Sequence, residues 1–272
     1  MISICYRVAA AIVLGGYTLL PTAAQTTQTT STDTYTILRI FKASDIERYK
    51  MKMDITIKSA QAGGADQVVK MNMLLKETIK SVSDSGAITV IDEYPKAEVG
   101  FNGQSMDITE QMPKITLTRD AGGHVTVKSD GGNEQANKQF EQISKSMFMQ
   151  QANSMPKKPI KVGDSWTPDF ASLSEAAGQK ITTTLKLDAV EMVGKLKALK
   201  LVGVTDTTAT GATDIKMHSE TTTYLDANSF KLIKMTMKGS GVAAGNNMQS
   251  TMTIEPATAE DEKSTAAQAG PK

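Results

Sequence analysis

Cysteine is almost missing from this 272-residue chain: there is one, Cys5, close to the N-terminus. Histidine is nearly as scarce, with only His124 and His218, neither beside a ligand-type partner at metal-binding spacing. A zinc centre draws three or four ligands from Cys, His and carboxylates, so no metal and no other cofactor is expected. Without a second cysteine there is no disulfide framework, and the lone thiol lies outside the body of the chain. Aromatic residues make up only 5%, with a single tryptophan, Trp166. Neither sign of charge is in excess: 30 basic residues face 29 acidic ones. Arg7 is the one charged residue before Gln25, so a chain beginning at Gln25 carries 29 of each. Such a balance lacks the footprint that a phosphate backbone demands, which argues against nucleic acid as a partner. Long apolar runs are missing too. The stretch from Val8 to Leu20 is broken by Gly15 and Gly16 and ended by Pro21, well short of the roughly 20 apolar residues of a membrane-spanning helix.

That short run has another use. A positive charge at Arg7, the apolar stretch, and small residues Thr22 and Ala24 ahead of Gln25 have the three-part pattern of a cleavable secretory signal over residues 1–24. Cleavage near Ala24 removes Cys5 and predicts an exported protein, periplasmic or secreted, with no integral membrane span in the mature chain. Residues 25–34 are nearly all Thr, Gln and Ser, and residues 257–272 are Ala, Glu, Asp, Lys and Pro. Neither can bury enough apolar surface to offset the entropy of ordering, so both are expected to be flexible tails around one β-rich domain over 35–256.

Within that domain the dominant signal has period two. Met51, Met53, Ile55 and Ile57 alternate with Lys50, Lys52, Asp54, Thr56 and Lys58, and Val69, Met71, Met73 and Leu75 repeat the pattern. Asn102-Gly103 is a strong two-residue hairpin signal, and Asp120 to Gly123 links a second pair. Further alternating stretches follow from Ile181 to Ile254, giving roughly ten strands. One segment differs: Ala136, Phe140, Ile143 and Met147 step by four, three and four, which predicts a helix over about residues 133–153, stopped by Pro156. Short links imply antiparallel pairing. The expected fold is mainly β (α+β): one strongly curved antiparallel sheet or half-barrel packed on a single long helix, with two half-sheets as the alternative.

The segment Met155-Pro156-Lys157-Lys158-Pro159-Ile160-Lys161-Val162-Gly163-Asp164-Ser165-Trp166 resembles a P-x-x-P-[VI]-x-V-G-D-x-W signature found in a family of uncharacterised exported bacterial β-rich proteins. Pro156, Pro159, Gly163, Asp164 and Trp166 carry the likeness. It implies location and fold and no reaction. At the level of architecture the chain is also similar to the half-barrel carriers that ferry lipoprotein acyl chains across bacterial envelopes.

Gly163-Asp164-Ser165 also invites comparison with the nucleophile block of secreted lipases and esterases, which would make Ser165 a catalytic residue. The block is followed by Trp166 and lacks the paired Asp-x-x-His, since Ile215 stands three before His218. A serine without a base is a weak nucleophile, so no catalytic residue is assigned and a turn-forming role is preferred. The 16 methionines are more distinctive. They recur two apart as Met51/Met53, Met71/Met73 and Met235/Met237, and residues two apart on a strand share a face. Three readings are open: core packing, a Met-based Cu(I) site, or a pliable surface for an acyl chain or other apolar ligand. Binding or scaffolding in the bacterial envelope is the preferred function, with a lipid or similar ligand as its sharper form.

Overall fold

Alternation becomes strand wherever one face finds cover and the other meets water, and most of the chain obeys that rule. The computed structural model describes residues 33–37, 41–59, 65–131, 134–170, 179–209 and 214–266; residues 1–24, where a secretory signal is expected, lie outside them. The strands are β1 (Ile46–Lys58), β2 (Gln67–Val82), β3 (Ile88–Phe101), β4 (Gln104–Asp107), β5 (Lys114–Arg119), β6 (Val125–Asp130), β7 (Ser165–Trp166), β8 (Gln179–Val193), β9 (Leu196–Ala209), β10 (Ile215–Asp226), β11 (Leu232–Ala243) and β12 (Asn246–Pro256). They form one antiparallel sheet of 12 strands in the order β6-β5-β3-β2-β1-β12-β11-β10-β9-β8-β7, with β4 on β3.

Turn chemistry sets the registers. Asn102 and Gly103 adopt φ of 47° and 89° between β3 and β4, so Phe101 faces Gln104, the type I′ geometry that matches strand twist. Strand β3 runs through Pro95, although a proline cannot donate to a ladder. It does so because Lys76 pairs with Glu93 and Leu74 with Lys96, leaving Tyr94 and Pro95 opposite Leu75 in a bulge.

Helix α1 spans Glu134–Ser154 and helix α2 spans Ala259–Ala266, with a 3₁₀ turn at Thr109–Gln111. The single helix of the sequence reading is corrected on this point: the described residues hold two. The physical reason lies at the start of α2. Thr258 and Asp261 cap it reciprocally, Asp261 N–H donating to Thr258 Oγ1 and Thr258 N–H to Asp261 Oδ2.

By internal packing the chain falls into two compact units, where the sequence suggests one continuous domain. The first comprises Met1–Arg39, Ile55–Gln67 and Ser146–Thr253; the second comprises Ile40–Asp54, Val68–Lys145 and Ile254–Lys272. In the first, Ile37, Ile160, Leu187, Leu199, Leu201 and Leu225 form a core cluster. In the second, Ile79, Ile88, Val90, Ile115, Leu117 and Val125 are buried.

Helix α2 belongs to the second unit and is tied there by charge. Asp261 lies 2.6 Å from Lys50, and Glu262 lies 2.9 Å from Arg48 and 3.9 Å from Lys76. Within the stretch expected to be a tail, Ala259–Ala266 is helical, and Asp261 and Glu262 hold it. The Lys50 ammonium, then the amide and hydroxyl of Thr258, hold the Asp261 carboxyl down at about 2. A depressed carboxylate contributes to docking above its unfolded value of about 4, and that contribution fades as pH falls through the folded value. Amide protection over 259–266, corrected for intrinsic exchange, is expected to hold at pH 4 and to fall near pH 2. Lys50→Gln should move that loss to higher pH, and a helix already unprotected at pH 4 would contradict the assignment.

Candidate functional site

In the first unit, β8 to β12 present one face whose composition changes along the strands. Leu187, Leu201, Thr223 and Met235 stand side by side across β8, β9, β10 and β11. Two residues further along come Leu185, Gly203, Thr221 and Met237, and then Thr183, Thr205, Ser219 and Gly239. A Cβ on Gly239 would stand 2.6 Å from Ser250 Oγ, which places Ser250 of β12 beside that third row. Met248 and Met252 lie two residues either side of Ser250 and share its face. The face thus grades from leucine, through methionine and threonine, to hydroxyls and glycine.

All four of these methionines are buried, and so are the hydroxyl residues. Thr183 and Thr205 satisfy each other, oxygen to oxygen at 3.0 Å. Thr221 and Thr223 are each only 1% exposed, yet neither hydroxyl has a hydrogen-bond partner among the described residues. A buried hydroxyl left unpaired costs about 1–3 kcal/mol, and such groups call for an explanation beyond packing.

The methionine pairs singled out in the sequence are divided between the units. Met51 and Met53 are buried on β1, and Met71 and Met73 are half-buried on β2, in the second unit. Only Met235 and Met237 share their unit with the hydroxyl rows. Among the described residues, no group of three or more His, Cys, Asp or Glu is placed to hold a metal.

The signature segment also lies in the first unit, and its geometry is that of a tie. Tyr35 and Ile160 exchange backbone hydrogen bonds at 2.7 and 2.9 Å. Asp164 closes a turn by accepting the Lys161 N–H at 3.0 Å, while Gly163 takes φ of 97°, which favours glycine. Gly163 N–H donates to Leu187 O, and Leu187 N–H to Asp164 O. Pro156 follows the end of α1, Pro159 is exposed, and Trp166 packs half-buried on the leucine core while its Nε1 donates to Ser154 O at 2.7 Å.

Ser165 is exposed and pairs with Lys186. The row it begins continues through Val202 to Thr222, four residues from His218. Three strand spacings and four residues put His218 on the order of 14 Å sideways and 13 Å along from Ser165. His218 instead hydrogen-bonds Asp206 at 2.8 Å, and His124, on β5–β6, lies 3.2 Å from Asp120. His218 is therefore out of reach of Ser165.

The opposite face of β8–β10 holds a residue the sequence did not single out. Lys200 is 1% exposed, and its ammonium lies 3.4 Å from Asp188 Oδ2, while Lys186 donates to Asp188 Oδ1 at 2.9 Å. Burial works to raise the Asp188 carboxyl, but the Lys186 hydrogen bond and charge, with those of Lys200, outweigh it and hold the group low. Tyr224 is the cross-strand neighbour of Lys200, and burial followed by the Glu191 carboxylate raises its phenol. Two lysines and two carboxylates cancel in charge, so the cluster is self-compensating. A lysine inside the apolar run Ala198 to Val204 was the one available signal.

The chain matches no protein-family model and no curated protein. Solved structures of weak likeness include these two. One is an exported-protein candidate with a YmcC-like fold from Bacteroides fragilis, 8% identical, covering 81% of this chain and 100% of that one at a TM-score of 0.29. The other is DynF of the dynemicin biosynthesis pathway from Micromonospora chersina, 8% identical, covering 88% and 94% at a TM-score of 0.22. Scores this low carry no argument about fold or function. No helix among the described residues is long and apolar enough to cross a membrane.

Proposed function

We propose that this is an exported, non-catalytic envelope protein that holds an elongated apolar ligand, such as an acyl chain, on the graded face of β8–β12. The observation that carries the reading is the pair Met235 and Met237 opposite the two unpartnered hydroxyls of Thr223 and Thr221, with Met248 and Met252 on the next strand beyond. Methionine is flexible and polarizable, which suits surfaces that accept apolar groups of varied shape. The signal-like residues 1–24 support export. Binding is preferred over hydrolysis because Asp164 is committed to a turn and His218 stands far from Ser165.

Native mass spectrometry of the mature protein, purified gently from the envelope of its own host, tests this directly. An adduct with the mass of a lipid or fatty acid is the expected result. A bare mass, unchanged after lipid addition, would reject it. A mass gain only on adding Cu(I) would instead favour the thioether pair Met235/Met237 as a copper site.

A further inference from the structure

We infer that the tip of the β8–β9 hairpin is a wedge that dips into the headgroup layer of an anionic lipid bilayer. This membrane contact goes beyond the carrier reading and does not depend on it. Strand β10 ends its pairing with β9 at Asp226, opposite Ala198. The hairpin continues past that point through the pairs Met192/Lys197 and Val193/Leu196 to a two-residue turn at Gly194-Lys195, where the glycine takes φ of 60°. Two further rungs carry the turn roughly 7 Å beyond the end of β10. Apolar side chains stand open there. Met192 is 63% exposed, more than any other large apolar side chain among the described residues, and Leu196 is 47% exposed.

The directions of these side chains select the partner. Met192 pairs across the hairpin with Lys197, Leu196 pairs with Val193, and successive pairs point to opposite faces. Met192 and Leu196 therefore occupy opposite faces of a ribbon two strands wide. A protein presenting a flat surface would cover one of them and leave the other in water, whereas a fluid lipid phase closes around both. Charge agrees with a lipid surface. Lys195 and Lys197 are the charged residues of the last two rungs and both are exposed. Their long stems let the ammonium groups stay among lipid phosphates while the apolar side chains sit deeper. Asp33 lies 3.8 Å from Lys197, but the two side chains are 61% and 54% exposed, so water and salt screen that pair. On the hairpin and on β10, acidic residues begin one rung back, where Glu191 and Asp226 stand on either side of Ala198. The Asp226 carboxylate is engaged there by the amides of Asn228 and Ser229.

The test measures co-sedimentation of the mature protein with vesicles of phosphatidylcholine alone and of phosphatidylcholine mixed with phosphatidylglycerol. Binding to the anionic vesicles is expected, about tenfold tighter than to the neutral ones. In the Met192→Ser, Leu196→Ser double variant that affinity should fall about tenfold or more, from the lost apolar burial. Both positions are exposed, so its melting temperature should match the parent's. Lys195→Gln with Lys197→Gln should weaken binding to the anionic vesicles about tenfold and leave the neutral ones unchanged. With a headgroup spin-labelled lipid in the anionic vesicles, the ¹³C-methyl signal of Met192 should broaden more than that of any other methionine. Failure to bind the anionic vesicles, or binding that the Met192→Ser, Leu196→Ser variant leaves unchanged, overturns the inference. Stronger broadening at a different methionine overturns it as well, since another surface would then meet the lipid. A parent that ignores vesicles but self-associates in sedimentation, with the double variant monomeric, would give the tip to a second copy of the chain and overturn the lipid assignment.

Discussion

Replacing Trp166 by alanine is expected to destabilise the protein by about 3 kcal/mol, the low end of the range for an aromatic-to-alanine change because the ring is half-buried. Two terms contribute. The indole covers the cluster formed by Ile160, Leu185, Leu187 and their neighbours, so its removal leaves a void against the core. Its Nε1–H also binds Ser154 O at 2.7 Å, joining the end of α1 to β7. Trp166→Phe separates the two: it keeps most of the apolar area, loses only the hydrogen bond, and should cost about 1 kcal/mol. Urea unfolding followed by far-ultraviolet circular dichroism reads both variants. The wild-type transition can be followed in parallel by fluorescence, since Trp166 is the only tryptophan. Equal losses in the two variants would mean that the hydrogen bond, not the ring, secures the segment. A loss well under 1 kcal/mol in both would deny the signature its role as a tie.

What was legible in the sequence was mostly local. Alternation marked strands because a half-buried sheet demands it, and Asn102-Gly103 marked a hairpin because few residues tolerate its φ values of 47° and 89°. The β11–β12 turn adopts nearly the same geometry, φ of 50° and 77°, at Ala244-Gly245. Alanine gives no hint of it, since the conformation is imposed by the paired strands rather than by the residue. Pro95, of a residue type that interrupts a ladder, stands inside β3 because the bulge opposite Leu75 accommodates it. The anchoring of α2 was hidden for another reason. Its own composition is polar, and Lys50, Arg48 and Lys76, which hold it, lie far away in the chain. The candidate site was half visible. Met235 and Met237 announced themselves by spacing, but Thr221-Thr222-Thr223 shows no contrast between faces, so nothing in it separates two buried hydroxyls from a half-buried one. That distinction comes only from the register with Gly203, Leu201, Met235 and Met237.

The pair Asp188 and Lys200 should respond asymmetrically to substitution. Lys200 is buried to 1% exposure with its ammonium 3.4 Å from Asp188 Oδ2, while Asp188 keeps 20% of its side-chain surface in water. Removing one partner of a buried ion pair strands the other, at about 3–5 kcal/mol. Asp188→Ala leaves two lysines without their carboxylate and is expected to lose about 3 kcal/mol, the lower end because Asp188 is partly solvated. Lys200→Met keeps the stem's volume, removes the buried charge, and leaves Asp188 with Lys186 at 2.9 Å; it should fall within about 1 kcal/mol of the parent or exceed it. The pH dependence follows from the depressed Asp188 carboxyl. Its stabilising contribution is present above the unfolded value of about 4 and disappears as pH falls through the lower folded value. The parent should therefore lose stability more steeply below pH 4 than Asp188→Ala, which has no carboxyl there to protonate. Denaturant titrations at pH 7 and pH 3 measure both effects. If Lys200→Met were as damaging as Asp188→Ala, the ammonium would be contributing net stability despite its burial, and the buried cation would then have to be counted among the forces that hold β8 to β9 and β10.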